Sequence, residues 1–503
     1  MPAIDLLPLD LLTDIMPRVS SINDKFALAQ VSQLWRNLAL DSPRFWSSFT
    51  GGDSKADFHR MPFILERSGT TTVLHIHLCF RYNDHSTNWR ATALKALVPY
   101  VARIETLDVD CQDTLHPRDE ALLDSNLQFP ALKTLRLTGV ASPTFLCGLS
   151  LSAPQLRTID IGCFYPTRWD KLLVPSLENI SVRVAGWTDV ETLADVFRRC
   201  PRAWRVVLHS SRPWPNANPN RDFPASSFAR RPLAPTLREL ELRLPAEDLE
   251  RVLEIGFSDV SDVVLESLTG SIYNGQSLDE VELLSRVLLR SVGPLLAFEY
   301  IDSHHIELRD DSGHTRRLEC WNVNSEFEIE LVWKHLSIHY GLHKTVREIR
   351  TKIGHWRHYV EVFERFRPRS TDGITLGIEI DSRFSELWLR GGASSLDEGE
   401  SWLDEEESWL NKRDIMWIRG LAKVEFFASD ANFLALESIS KVLARIKPSR
   451  TRQVQVCIGN TYLRTGYSSA LSLPAFRTAL EELPGNWVIC DHCMLPLRAD
   501  NNF

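Results

Sequence analysis

No stretch of this 503-residue sequence holds about 18 consecutive apolar residues, the length a helix needs to cross a bilayer, so no membrane partner is expected. The opening Met1-Pro2-Ala3-Ile4-Asp5 lacks the basic segment and apolar core of a secretory leader, and the expected location is intracellular, cytoplasmic or nuclear. Clustered positive charge is also missing. The 57 Lys and Arg are outnumbered by 66 Asp and Glu, for a net charge of −9, and basic residues gather only in pairs such as Arg198-Arg199, Arg230-Arg231 and Arg316-Arg317. Neutralising a phosphate backbone takes a concentrated basic surface, so no nucleic acid partner is expected. Cysteine is sparse and odd in number, nine residues scattered from Cys79 to Cys493, which fits reduced, mostly buried thiols and no disulfide framework. A phosphate-cradling Gly-Lys-Ser/Thr loop, a Gly-x-Ser-x-Gly elbow and a dinucleotide fingerprint are absent as well. Catalytic residues, cofactors and a metal set are therefore not expected, and the chain reads as a non-enzyme.

What is present is ordinary globular material, 44% hydrophobic and 24% charged, enough for about two to four domains or one long repeat array. The segment Leu6 to Pro17 predicts a short helix with Pro8 in its first turn and Pro17 as its stop, presenting Leu7, Leu11, Leu12 and Ile15 on one face. Asn23 or Asp24 is positioned to cap a second helical stretch in which Leu28, Val31, Trp35 and Leu38 recur at helical spacing. Asp41-Ser42-Pro43 breaks it before Phe45-Trp46. Three short helices over residues 1–50 are too small a unit to bury all these side chains among themselves, so a partner or the rest of the chain must cover the remainder.

The pattern Leu7-Pro8-x-Asp10-Leu11-Leu12-x-x-Ile15, followed by Val31-Ser32-x-x-Trp35-Arg36-x-Leu38-Ala39 and Ser42-Pro43-x-x-Trp46, resembles an F-box, in particular that of many mushroom-type fungal proteins. Leu65-Glu66-Arg67-Ser68-Gly69, leading into the alternating Val73 to Leu78, is similar to the segment that comes after it in those proteins. Asp10 stands where glutamate is usual, and Ser32-Gln33 where cysteine or a basic residue is frequent; neither removes an apolar anchor. The resemblance covers residues 5–49. It implies docking to a Skp-type adaptor, and through it to a cullin complex, with Leu7, Pro8, Leu11, Leu12, Ile15, Leu28, Val31 and Trp35 as the adaptor contacts. Exposed Leu, Pro, Ile and Trp on short helices are also the usual composition of a helix-in-groove anchor.

Internal repetition organises the middle of the chain. Five segments share the template Pro-x-Leu-x-x-Leu-x-Leu, beginning at Pro130, Pro154, Pro175, Pro201 and Pro235, at intervals of roughly 21 to 34 residues. Ile104 to Val109 is an earlier copy without proline. The pattern resembles degenerate leucine-rich repeats. Alternation in the last positions predicts parallel strands with one buried and one wet face, stacking Leu135, Ile159, Ile180, Val206 and Leu240 in one column. The wet face should carry Thr134, Arg136, Thr138, Thr158, Asp160, Asn179, Ser181, Arg183, Arg205, Val207, His209, Glu239, Glu241 and Arg243. Its mixture of both charge signs with hydroxyl and amide groups suits a protein or peptide, and Arg136, Asp160, Arg183, Arg205, His209 and Glu241 are the expected contacts to a target protein.

The expected architecture is α/β: a three-helix N-terminal module at 1–50 and an irregular leucine-rich-repeat-like solenoid with parallel strands at 51–290. Residues 291–503 are either continued irregular strand-and-helix repeats or a second domain. Helices are predicted at 247–255, 278–291, 326–340, 401–418, 431–446 and 474–483, and a hairpin turned at Asp310-Asp311-Ser312-Gly313. Trp402, Trp409 and Met416, and beside them Leu403, Leu410 and Trp417, repeat every seven residues beside acids, which reads as a packed surface helix, with a partner-binding helix as the alternative. His335 and His339 share a helical face without the glutamate of a metalloprotease motif, and Cys490-Asp491-His492-Cys493 is a lone Cys-x-x-Cys with no second pair. His75 and His77 alternate with Leu74, Ile76 and Leu78 and should face solvent from a strand. Together these readings point to the substrate-recognition subunit of a Skp-cullin-F-box ubiquitin ligase; the alternative is a non-catalytic repeat scaffold with no ligase connection.

Overall fold

The computed structural model describes residues 9–19, 21–51, 55–80, 88–111, 127–139, 152–162, 172–184, 196–210, 236–244, 260–267, 289, 292–302, 305–320, 329–352, 359, 373–380, 416–418, 421–428, 433–447, 453–458, 462–465, 469–470, 473–483 and 486–490. The chain is mixed α/β and rich in parallel strand pairs, and it divides into two compact units, Met1–Gly256 and Phe257–Phe503.

The first unit opens with α1 (Leu9–Ile15), α2 (Ile22–Val31) and α3 (Gln33–Asp41). The cap of α2 is Ser21, whose hydroxyl accepts from the Asp24 N–H, rather than Asn23 or Asp24. The single helical stretch expected through Trp35 is broken at Ser32, which is extended (φ −155°) and accepts from the Trp35 N–H at 3.3 Å. A serine hydroxyl offers the backbone an alternative to the helical ladder, and here it ends one helix while starting the next. Trp46 lies fully inside, its indole N–H donating to the Ala39 carbonyl at 2.6 Å, and its ring meets Phe26, Phe45 and Phe63 edge-on or tilted. Phe63 comes from α4 (Lys55–Arg67), so the large aromatics at the close of the helical module are covered by the chain itself.

Lys25 is fully buried in this core. Its ammonium donates to the Ser48 carbonyl and hydroxyl and lies 5.7 Å from the centre of the Phe45 ring, and burial pushes its pKa down from 10.5 to about 8.

From β1 (Ser48–Gly51) onward the unit is a parallel ladder: β2 (Leu74–Phe80), then α5 (Asn88–Leu97), then β3 (Ile104–Cys111), β4 (Thr134–Gly139), β5 (Thr158–Ile161), β6 (Asn179–Val184), β7 (Arg205–Ser210) and β8 (Glu239–Leu244). Each strand pairs in parallel with the next in sequence order, with crossovers between them instead of hairpins. The template's proline has a definite task. The carbonyls of Phe129, Ala153, Val174 and Cys200 accept from the N–H groups of Leu132, Leu156, Leu177 and Ala203, four turns with proline at their second position, where its fixed φ is pre-set. Each turn delivers the chain into its strand, and the N–H groups of Arg157, Glu178, Trp204 and Arg238 then bond to the carbonyls of Lys133, Arg157, Glu178 and Trp204, one repeat earlier. In register, Leu107, Leu135, Ile159, Ile180, Val206 and Leu240 form one column, every member at most 1% exposed.

In the second unit, β9 (Asp262–Ser267) pairs in parallel with β12 (Thr315–Cys320), so the strand before residue 290 belongs to this unit. The strands β10 (Leu295–Asp302), β11 (His305–Asp310) and β12 form an antiparallel meander. Its second turn has Gly313 at φ 82° and the Asp310 carboxylate accepting from the Ser312 and His314 N–H groups, both at 2.9 Å. After α6 (Ile329–His339) and α7 (Leu342–Thr345), β13 (Glu348–Lys352) returns parallel to β10, and β14 (Ile374–Ile380) pairs with it in turn. The strands β15 (Met416–Trp417) and β16 (Leu421–Ala428) come next, and β16 extends the parallel ladder. Met416 and Trp417, placed by the heptad spacing at the end of a helix, are strand residues paired with β18 (Ile446–Lys447). A small separate sheet joins β17 (Phe433–Ala435), β20 (Tyr462–Thr465) and β21 (Ser469–Ala470), with α8 (Leu436–Arg445) between β17 and β18. Among the described residues the main ladder ends with β19 (Val454–Ile458) and, after α9 (Leu473–Glu481), β22 (Trp487–Ile489). The predicted helix at 247–255, all of that at 278–291 except the helical Leu289, and most of 401–418 fall outside the described residues.

Two consequences are measurable. Ile180→Ala opens a cavity in the column and should cost roughly 2–5 kcal/mol in denaturant unfolding, whereas Arg183→Ala, on the other face of the same strand, should stay within about 0.5 kcal/mol. The folded pKa of Lys25, about 8, lies below its unfolded value of 10.5, so between them the unfolded chain holds more protons and stability rises with pH. Relative to Lys25→Met, the parent chain should therefore gain stability from about pH 8 to about pH 10; a flat difference would show that burial does not lower the Lys25 pKa.

Candidate functional site

Two surfaces stand out, and different physics produces each. The first is the outer face of the N-terminal helices. Leu12 on α1 and Met16, which opens the 3-10 turn directly after it, are buried at 1% and 0%, while Leu11 and Ile15, four apart on α1, remain 48% and 43% exposed. A seven-residue helix thus carries two apolar rows and the fold consumes only one. The same division runs through the next helices: Trp35 and Ala39 point inward, whereas Val31, Leu34 and Leu40 stay exposed and Leu28 and Leu38 are half-buried. Among the described residues, nine large apolar side chains are exposed, and five of them fall between Leu11 and Leu40. Scattered singly such residues mean little; five of them on three consecutive short helices are a local concentration of exposed apolar surface.

This redistributes the contact set read from the sequence. Leu12 and Trp35, expected as adaptor contacts, are core residues of the module and offer no surface to a partner. Burying them is what lets so small a unit hold together. Leu11, Ile15 and Val31 keep exposed surface, Leu28 contributes a half-buried side chain, and Leu34 and Leu40 join them although the sequence pattern did not single them out. Leu7 and Pro8 lie outside the described residues.

The second surface is the polar face of the parallel ladder. Because strand side chains alternate, the face opposite the buried column carries residues offset by one. One register row reads Thr50, His77, Asp108, Arg136, Asp160, Ser181, Val207 and Glu241 across eight strands. Rows on either side contribute Arg205 beside Glu239, and Arg183 beside His209 beside Arg243. The six expected target contacts, Arg136, Asp160, Arg183, Arg205, His209 and Glu241, therefore share one face. Val207 is the exception in its row. It is 2% exposed, a short aliphatic side chain set between Ser181 and Glu241 and sheltered among longer charged neighbours, so it is not part of the wet surface.

Neighbouring strands lie about 4.8 Å apart, close enough for side chains on this face to pair along the rows. His77 Nδ1 lies 3.2 Å from Asp108, the Ser181 hydroxyl donates to Asp160 at 2.7 Å, Thr138 donates to Asp110 at 3.2 Å, and Arg205 lies 3.2 Å from Glu239. The hydrogen bond His77 donates to Asp108 raises the His77 pKa above 6.5, and the bond from His209 holds the Glu241 carboxyl below its usual value. Arg136 and Arg183 remain exposed. The surface is pre-arranged, charged in both signs, and built from side chains held by their neighbours.

The second unit has a comparable face that the sequence pattern did not single out. Arg317 meets Glu307 at 2.9 Å, Glu348 meets Arg350 at 2.6 Å, and Lys423 meets Glu425 at 3.5 Å. Glu299, half-buried beside Glu307, has its pKa raised first by burial and then by that like charge. The signal for this face was the alternating charge of β11 (Glu307, Arg309), β12 (Arg317, Glu319), β13 (Glu348, Arg350, Lys352) and β16 (Lys423, Glu425), which is weaker than the proline-led template because the intervening connections vary. His335 and His339 lie with ring centres 4.5 Å apart and planes tilted by 35°, and among the described residues no group of three or more His, Cys, Asp or Glu is placed to hold a metal ion. Cys490 is buried, and Cys493 lies outside the described residues.

No family model matches the chain, and no curated protein matches it.

Since the folded pKa of His77 lies above 6.5, its pairing with Asp108 contributes fully below pH 6.5 and fades as pH rises through the folded value. Ring-proton titration of His77 should give a midpoint above 6.5, and Asp108→Asn should bring it back towards 6.5. The same midpoint in both proteins would remove Asp108 as the cause.

Proposed function

We propose that this chain is the substrate-recognition subunit of a Skp-cullin-F-box ubiquitin ligase, with its N-terminal helices docking the Skp-type adaptor and the polar face of the parallel ladder holding a target protein. The observation that carries the reading is the uncovered apolar face of the first three helices, where Leu11, Ile15, Val31, Leu34 and Leu40 stay exposed after the module has filled its own core. An isolated soluble fold gains nothing from leaving them in water; a groove on a partner would cover them. The F-box resemblance of the same segment supplies the identity of that partner. In this reading the chain performs no bond chemistry itself. The ladder face suits a shaped protein or peptide ligand, because it presents Arg136 and Arg183 among paired acids and hydroxyls and lacks the concentrated basic charge that a polyanion requires.

Leu11→Asp, Ile15→Asp and Val31→Asp together place charge on exposed positions and should leave folding nearly unchanged while abolishing capture of a purified Skp-type adaptor. Capture by a folded triple variant would sink the docking face, and absence of capture by the parent chain would leave the scaffold reading. Reversing charge at Arg136, Arg183 and Arg205 should abolish target recovery from cells and leave adaptor capture intact; recovery of the same targets would place the target site elsewhere.

A further inference from the structure

We propose that Cys457 and Cys490 form a peroxide-responsive dithiol that closes to a disulfide between the last two strands of the second unit's main ladder. The strands β19 and β22 are parallel, with Val454, Gln455 and Val456 opposite Trp487, Val488 and Ile489, and the Cys490 N–H donates to the Val456 carbonyl at 3.0 Å. One further step in that register sets Cys457 beside Cys490. Their side chains share a face, since each comes directly after a core residue, Val456 or Ile489, on its own strand. The separation of neighbouring strands, about 4.8 Å, lies within the ~4.4–6.8 Å between Cα atoms that a disulfide spans. Neither sulfur is in a disulfide in this structure, and the two residues are 3% and 7% exposed.

A third group completes the arrangement. On the adjoining strand β16, Glu425 lies opposite Cys457 and Lys423 lies one row away, opposite Gln455, with the Lys423 ammonium 3.5 Å from the Glu425 carboxylate. By pairing with Glu425, Lys423 offsets the negative charge beside Cys457, and a nearby cation favours the thiolate, the form that attacks peroxide. Sequence spacing pairs Cys490 with Cys493; the ladder gives it a different neighbour.

The chemistry balances with a peroxide as oxidant. The Cys490 thiolate, on the less buried of the two residues, attacks one peroxide oxygen, forming an S–O bond and breaking the O–O bond; the departing hydroxide takes up the thiol's proton as water. The Cys457 sulfur then attacks the sulfenic sulfur and displaces a second hydroxide, which leaves as water with the Cys457 proton. Two thiols and one peroxide become one disulfide and two waters. Among the described residues β22 pairs only with β19, so the new bond would clamp a three-residue terminal strand and restrict the unfolded chain between the two cysteines.

The full chain is treated with hydrogen peroxide near stoichiometry, remaining thiols are alkylated, and the digest is read by mass spectrometry. The expected product is a peptide linked through Cys457 and Cys490, lighter by two hydrogens than the separate thiols, formed while the more exposed Cys79 remains alkylatable. The oxidised chain should also unfold at a higher temperature than the reduced chain. Lys423→Gln should slow linkage by about threefold or more, with circular dichroism confirming that the variant is folded. A Cys490–Cys493 link, oxidation of Cys79 ahead of this pair, or over-oxidised Cys490 without a disulfide would overturn the proposal. An unchanged rate in Lys423→Gln would remove the ammonium from it.

Discussion

The column of Leu107, Leu135, Ile159, Ile180, Val206 and Leu240 is the contact on which the first unit depends. A single repeat has one apolar strand face and a proline turn, far too little to repay the entropy of ordering its backbone. Each repeat becomes stable only when its aliphatic side chain is covered by those of the repeats before and after it. That requirement sets the strand order and the parallel sense, and the turn carbonyls at Phe129, Ala153, Val174 and Cys200 ensure that every strand begins at the same level. Once the column is in place, the opposite face has no freedom: the residues between column positions must be presented to water in rows, ready to pair across strands.

The two surfaces of the first unit are thus unlike in origin. The polar face is an unavoidable consequence of strand alternation, and its partners are mostly its own neighbours, as in the pairs of Asp160 with Ser181 and Arg205 with Glu239. The helical face is a surplus. Trp35, Phe45 and Trp46 satisfy the module's core, and the fold then has nothing left to set against Leu11, Ile15, Val31, Leu34 and Leu40. Since each of these is already about half-covered, full burial would return only about 1 kcal/mol apiece, a gross gain near the lower end of the cost of association. Such a patch suits a partner whose engagement is shared with further contacts, and Leu7 and Pro8 adjoin it in the sequence.

Buried polar groups show what the core tolerates. Lys25 survives with its ammonium bonded to Ser48, at the cost of a lowered pKa. Arg316, 1% exposed in the second unit, is held by the carbonyls of Val260, Ser261 and Thr315. In both cases a long cationic side chain serves as a backbone tie between segments distant in sequence. Neither was apparent from local pattern, because the sequence around each reads as an ordinary exposed charge.

The sequence by itself determined the features that depend on nearest neighbours along the chain. Proline with leucine two residues later and then alternating aliphatics suffices to specify a turn, a strand and which side of that strand is wet, since these result from φ restriction and the two-residue side-chain period. The helical character of residues 9–41 was legible for the same reason. Which apolar side chains of a helix become core was not, because Leu11 and Leu12 are chemically alike and only the position of the surrounding helices and strands decides between them. The same holds for Val207, sheltered by neighbours from other repeats, and for Ser32, whose hydroxyl divides a stretch that spacing alone makes continuous. It holds most plainly for Cys490, whose nearest cysteine in sequence is Cys493 but whose neighbour across the ladder is Cys457, because strand pairing brings together residues that no local period relates.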